Sequence, residues 1–112
     1  MNLDELVQSI ADEEPESFVS LRKWINSWKD SGESIDDLNI LVSKWHGNVW
    51  FKSKSISDEF NEQWTKFKTI AIDGIGGLTL NERLYWFGMF DSWDNADEHD
   101  KLRIRIKLKA NT

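Results

Sequence analysis

The sequence predicts an all-α fold, a compact bundle of five to six helices around a central hydrophobic helix at about residues 79–93. From Leu84 to Phe90 every residue is apolar, aromatic or glycine, so a helix here must be covered on several sides. Thr79 and Glu82 form a capping box, in which each side chain can bond the backbone N–H of the other residue. Large side chains also follow at the helical spacing i, i+3, i+7, namely Trp86, Met89 and Trp93.

Two helices are predicted before residue 30. The first begins after Asn2, its cap, and runs to about Ala11. Its apolar stripe consists of Leu3, Leu6, Val7 and Ile10. The second begins at Pro15, whose missing N–H costs nothing in a first turn, and should reach Lys29. Its inner face consists of Phe18, Leu21, Ile25 and Trp28.

Two further helices follow a loop at residues 30–33. Ser34 caps the third helix, which ends near His46 or continues weakly to Phe51, because Gly47 interrupts good helix formers. Ser55 or Ser57 starts the fourth helix. Its inner face consists of Phe60, Trp64, Phe67 and Ile70 or Ala71. The glycine-rich residues 73–77 then form the loop before the central helix.

The last segment has two competing patterns. Lys101 to Lys109 alternates strictly between apolar and basic residues, which is typical of a strand. Acids precede this stretch and bases end it, which is the arrangement that a helix dipole favours. We predict a helix here, capped by Asn95.

Composition limits the class of protein. The chain has 112 residues and no cysteine, and we expect one helical domain over residues 1–112. Its first residues lack the charged and apolar regions of a secretory signal, and no apolar run approaches the roughly 20 residues that span a bilayer. These features predict a cytoplasmic protein that does not enter the membrane.

The net charge of −6 is unevenly distributed. Residues 1–16 carry six acids and no base, residues 81–100 carry six acids and one base, and the last twelve residues carry five bases. Acidic stretches argue against a nucleic-acid ligand, which needs a basic face, and favour a basic protein partner. The competing interpretation is that the acids only keep a small protein in solution.

No catalytic set stands out. His46 and His99 lie on different segments without a nucleophile motif beside them. The acids between Asp91 and Asp100 resemble a metal-binding run, but Trp93 and Ala96 interrupt the alternating oxygens of a calcium loop. We therefore predict no enzyme activity, no cofactor and no metal site. A carboxylate–metal enzyme using the aspartates at 91, 94 and 97 remains an alternative.

Partner contacts are predicted in the two acidic stretches. An exposed tryptophan surrounded by acids is typical of a binding hot spot, and three tryptophans lie off the inner stripes or at helix ends, namely Trp24, Trp50 and Trp93. The predicted contact residues are Asp12, Glu13, Glu14, Glu16, Asp91, Trp93, Asp94, Asp97 and Glu98.

Residues 78–108 resemble a pattern in small bacterial proteins. The segment Leu78–Leu84 reads Leu-Thr-Leu-Asn-Glu-Arg-Leu, and Gly88, Phe90–Asp94 and Ala96 follow at matching positions, with Trp93 where the pattern has phenylalanine. Some small acidic proteins of this kind are similar to immunity proteins of polymorphic or contact-dependent toxin systems. The resemblance implies binding and blocking of a toxin domain, and it carries over no mapped binding residues.

The functional hypothesis is therefore an immunity protein that neutralises a cognate toxin domain, a nuclease, through an acidic surface. Such a protein is expected to be a monomer on its own. The alternative is a non-enzymatic regulatory or self-associating structural module with another partner.

Overall fold

A computed structural model describes residues 1–110 of the chain. The α-helices in order are α1 (Leu3–Ala11), α2 (Pro15–Asp30), α3 (Ile35–Asn48), α4 (Lys54–Phe67), α5 (Leu80–Trp86), α6 (Phe90–Asp94) and α7 (Glu98–Lys107). These 110 residues contain no strand, which confirms the all-α prediction and the choice of helix for Lys101 to Lys109. In the same range no helix combines the length and apolar character needed to cross a membrane.

An aromatic cluster joins α2, α3 and α4. The ring of Phe18, on the predicted inner face of α2, lies 5.0 Å from that of Trp45 and 5.6 Å from that of Phe60, centroid to centroid. All three side chains are buried. Aromatic pairs in such tilted or edge-on arrangements contribute about 0.5–1.5 kcal/mol each beyond the burial of their surface. The predicted stripes therefore converge on one core.

The prediction of one continuous central helix is wrong. The chain follows α5 as far as Trp86, turns, and starts α6 at Phe90. Gly88 lies in the turn with a φ of +64°, which an L side chain rarely adopts. Only Phe87 and Met89 of the turn are fully buried, whereas Tyr85 and Phe90 are exposed. The helix is thus not covered on all sides, although its predicted capping box is present.

Some predicted boundaries shift by one turn or less. α3 includes Gly47 and ends at Asn48, between its two predicted ends. α4 begins directly after Ser53, ahead of both predicted starts. It runs into a π-helical turn at Lys68–Asp73, which contains the predicted last residues of its inner face, Ile70 or Ala71. A 3-10 turn at Ile75–Gly77 lies in the predicted loop.

The cap of α7 differs from the prediction. The Asp97 carboxylate accepts the N–H of Asp100 at 2.8 Å and caps the helix. Asn95 lies outside the helix, and its side-chain amide donates to the carbonyl of Asp91 at 2.9 Å. A carboxylate at the helix N-terminus also meets the positive end of the helix dipole, which explains why aspartate takes this position.

Basic side chains of α7 bind the carboxyl end of α2. The buried Lys107 ammonium lies 4.2 Å from the ring centre of Trp28 and donates to the carbonyls of Trp28 and, at 2.6 Å, of Glu33. The Trp28 carbonyl lies in the last turn of α2 and also accepts the N–H and the hydroxyl of Ser31, whereas Glu33 belongs to the loop after the helix. A cation at this place meets the negative end of the α2 dipole. Burial nevertheless lowers the pKa of Lys107 to about 8, because it removes the ammonium from water.

Arg83 binds the carboxyl end of α7, directly after Lys107. Its guanidinium is buried and donates to the carbonyl of Leu108 at 2.9 Å and to that of Leu78 at 3.0 Å. One side chain thereby joins the end of α7 to the start of α5. Together with Lys107, it explains why so basic a segment packs against the bundle.

Candidate partner-binding surface

Three predicted contact residues cluster at the turn between α1 and α2. Asp12, Glu13 and Glu16 are exposed, and we call them the acidic corner. Glu16 pairs with Lys52 at 3.6 Å, but both side chains are largely exposed, so this pair contributes little. Within the described chain Glu13 forms no ion pair. The acidic corner therefore keeps negative charge available to a partner.

Glu14 does not fit the prediction that it contacts a partner, because it is buried. Its Oε1 accepts the backbone N–H of Lys52 at 2.6 Å and the hydroxyl of Ser17 at 3.0 Å. Its Oε2 is also buried and has no hydrogen-bond partner in residues 1–110. The segment after α3 crosses the start of α2 here, and Glu14 holds it in place. Its role is structural, because its carboxylate holds the segment after α3 against the start of α2, next to the acidic corner.

The crossing segment places tryptophans beside the acidic corner. The Ser17 hydroxyl oxygen also lies 3.1 Å from the carbonyl oxygen of Trp50, one residue along α2 from Glu16, so its single proton is shared between this carbonyl and Glu14. Trp50 is 85% exposed and Trp24 is 44% exposed. They border an open groove of about 360 Å³, whose lining consists of Ser20, Trp24, Trp45, Asn48, Val49 and Trp50. We call it the tryptophan groove.

The packing of α2 against α3 explains where the tryptophans of the groove lie. α2 and α3 run antiparallel, since Ser17 meets Trp50 while Ser20 accepts the indole N–H of Trp45 at 3.0 Å. Trp24 lies off the inner stripe of α2, which is why it reaches the surface between the two helices. The helical periodicity of the apolar residues in α2 therefore predicts from the sequence that Trp24 is exposed. No such signal exists for Trp50, because α3 has ended and the backbone is not helical.

The second acidic stretch has a different character. Asp91, Asp94, Asp97 and Glu98 are all exposed, as predicted for a surface patch. Trp93 is only partly exposed, and its ring centre lies 5.2 Å from the Lys101 ammonium and 5.5 Å from the Arg105 guanidinium. The cations of α7 already occupy this ring and offset part of the acidic charge. Trp93 is therefore a poorer anchor than the prediction assumed.

One acidic group has the spacing of metal ligands. Oxygen and nitrogen atoms of Asp97, His99 and Asp100 lie within 4.8 Å of one another on the surface. Asp97 caps α7, and Asp100 lies 3.8 Å from Arg103 in an ion pair. Helix capping and ion pairing explain both carboxylates, so the cluster gives no positive support for a metal site. The aspartates at 91 and 94 are not part of it.

A serine and a histidine also meet, which the sequence analysis did not anticipate. His46 Nε2 lies 3.2 Å from the hydroxyl of Ser57, and the imidazole stacks on Phe60 at 5.5 Å. No side chain among residues 1–110 bonds Nδ1 and orients the ring as a general base would require. The pair connects the end of α3 to the first turn of α4.

Comparisons of the chain with models of known protein families, with curated proteins and with solved structures found no match. The strongest feature of the surface of this chain is the contiguity of the acidic corner with the tryptophan groove.

Proposed function

We propose that this protein is an immunity protein, which binds and neutralises a cognate toxin domain in the cytoplasm. The observation that carries the proposal is Trp50, a nearly fully exposed tryptophan beside an acidic corner. Large aromatic side chains supply much of the affinity of protein interfaces, and charged rims supply the rate of encounter and the choice of partner. Both are present here on one continuous surface.

The charge of the surface favours a basic partner. A nuclease carries a basic groove for its polyanionic substrate, and an acidic inhibitor is attracted to that groove at long range. The acidic corner lies beside an apolar groove, so electrostatic attraction and burial act at the same place. This arrangement suits a nuclease inhibitor better than a catalyst.

The experiment is co-expression with the C-terminal domain of a large toxin encoded next to this chain. We expect rescue of growth and co-purification of the two proteins. Trp24→Ala combined with Trp50→Ala should weaken the complex by about 30-fold or more, since hot-spot truncations cost about 2 kcal/mol or more. Ile40→Ala, which also truncates an exposed apolar side chain, is the matched control and should leave rescue intact.

The second acidic stretch is tested separately. Asp91→Asn, Asp94→Asn and Glu98→Gln together remove three of its five negative charges and spare Asp97, whose loss would also uncap α7. Unchanged neutralisation by this triple variant would exclude the second stretch from the interface. Absence of rescue by the wild-type protein with every neighbouring toxin domain would overturn the immunity proposal itself.

A self-associating module is the second candidate, and α7 favours it. Leu102 and Ile106 lie one turn apart on α7, and both are exposed. Two copies could bury these side chains against each other, although two residues make a small interface. Sedimentation over a range of concentrations decides the matter, because a concentration-independent monomer eliminates this candidate.

A further inference from the structure

We infer that the acidic end of the tryptophan groove holds the guanidinium group of an arginine of the partner, with the Trp50 ring as its platform. The inference rests on the proposed function, because it names the partner chemistry at the same surface. It draws on three observations: how this chain uses its other tryptophans, how charge is distributed along the groove, and how weakly Glu16 is paired.

The protein covers two of its tryptophans with its own cations. Lys107 lies over Trp28 at 4.2 Å, and Trp93 has Lys101 and Arg105 within 5.5 Å of its ring centre. The electron-rich face of an indole attracts a cation, and the attraction grows when water is excluded. Neither Trp24 nor Trp50 has a cation over its ring anywhere in residues 1–110. Their faces are therefore open to a cation from outside.

Charge selects one end of the groove. Trp50 lies next to Ser17 and therefore beside Glu16. At the other end, the exposed Lys23 precedes Trp24 in α2, and the exposed Lys44 lies one turn before Asn48 in α3. The Trp50 end holds the three carboxylates of the acidic corner against one cation, Lys52, which pairs with Glu16. The balance of charge therefore favours an incoming cation at the Trp50 end. The groove thus specifies both the ligand charge and its position.

Arginine fits this end better than lysine does. Its planar guanidinium stacks on an aromatic face and at the same time offers paired N–H donors to a carboxylate. Glu16 is the nearest such acceptor along α2, and its contact with Lys52 at 3.6 Å is weak enough to be replaced. Glu13 adds a second, unpaired carboxylate to the same corner.

The test follows the indole N–H signals of the seven tryptophans by NMR, assigned with single Trp→Phe variants. The probe is a short peptide with two arginines, and its control is the same peptide with citrulline, which has the shape of arginine without the charge. The arginine peptide should shift the Trp50 signal saturably, and the citrulline peptide should not. Trp50→Ala should weaken binding about two- to fivefold, and Trp93→Ala, the matched control, should not change it.

Three results would overturn the inference: equal shifts with citrulline, equal shifts at Trp93, or stronger shifts with a neutral oligosaccharide. Glu13→Gln with Glu16→Gln must also weaken the arginine peptide, and the dependence on salt must decrease. Because Trp50 is mostly exposed, its replacement leaves the fold intact, and Trp50→Phe should retain part of the affinity.

The inference and the proposed function fail in different ways. Arginine-dependent shifts at Trp50 without rescue from any toxin would retain the binding site and remove the immunity function. Rescue that is insensitive to Trp50→Ala would retain the function and remove the arginine site.

Discussion

Replacing Gly88 with alanine tests why the predicted central helix is broken. Gly88 has a φ of +64° and lies directly under the ion pair between Asp4 of α1 and Lys29 of α2. A Cβ at this position would overlap Oδ2 of Asp4 and lie 2.9 Å from its Cγ and 3.1 Å from the Lys29 ammonium. The turn between α5 and α6 therefore approaches α1 so closely that a side chain at this position requires the Asp4 carboxylate to move.

Two terms set the expected loss of stability. A left-handed backbone costs an L residue about 1 kcal/mol. The Asp4 carboxylate is exposed enough to rotate away, but it then gives up its 2.9 Å contact with Lys29, whose side chain is only 14% exposed. That loss is about 1 kcal/mol, at the upper end for a pair near the surface. Gly88→Ala should therefore reduce the free energy of unfolding by about 2 kcal/mol and Tm by roughly 8 °C.

The assay is a double-mutant cycle measured by urea unfolding. In an Asp4→Ala background the overlap and the ion pair are both gone, so Gly88→Ala should cost only the backbone strain of about 1 kcal/mol. The coupling between the two positions is then about 1 kcal/mol. Gly47→Ala is the matched control, because nothing lies within 4 Å of a Cβ there and the residue is in α3. It should be neutral or stabilise the protein by up to about 1 kcal/mol.

A neutral Gly88→Ala would refute the reasoning, because both strain and overlap would then be absent. If Gly88→Ala reduces stability equally with and without the Asp4 carboxylate, backbone strain is the only cause of the loss. If Gly47→Ala lowers Tm more than Gly88→Ala does, then Gly88 is not the position at which the fold requires glycine.

Three further perturbations follow from buried polar groups. Between about pH 8 and pH 10.5 the unfolded chain keeps the Lys107 proton that the folded chain releases. The free energy of unfolding should therefore rise with pH in this range, relative to that of the Lys107→Met variant, and urea unfolding at several pH values measures the difference. Glu14→Ala should cost about 2 kcal/mol in chemical unfolding, since it removes a buried carboxylate that accepts the backbone N–H of Lys52 and contacts the Ser17 hydroxyl. Glu13→Ala should change stability by less than about 0.5 kcal/mol. Arg83→Lys replaces the guanidinium, which donates to the carbonyls of Leu78 before α5 and Leu108 after α7, with an ammonium that cannot span both. The backbone amides of α7 should then exchange their hydrogens faster.

Helix type and inner faces were readable from sequence alone. The stripes of α1 and α2 repeat at helical spacing and are buried as predicted. Local capping signals were also read correctly at Asn2, Ser34 and Thr79, where the side chain of the cap accepts an N–H two or three residues along the chain. In each case the determining interaction is short-range along the chain, so the order of residues contains it.

The candidate site was readable only in part. Charge counting identifies the acidic corner, and helical phase places Trp24 off the core. The burial of Glu14 depends on Lys52, which is 38 residues away. The covering of Trp93 depends on the way α7 folds back over α6. A single sequence does not contain such pairings, because they arise when separate helices pack.

The break at Gly88 shows the same division. By itself the run of apolar residues from Leu84 to Phe90 is compatible with a continuous helix, and the sequence determines its hydrophobicity, its cap and its helical tendency. Gly88 marks the turn locally, because it ends α5 with a positive φ and the Met89 N–H donates back to the carbonyl of Leu84 at 2.9 Å. Only the tertiary structure brings Asp4 and Lys29 against this turn, where they fill the space beside Gly88. The helical stripe of α2 already predicts a buried Trp28, but only tertiary packing decides that Trp50 stays at the surface. Trp50 has the same hydrophobic side chain, and it stays exposed because no neighbouring element of residues 1–110 covers it.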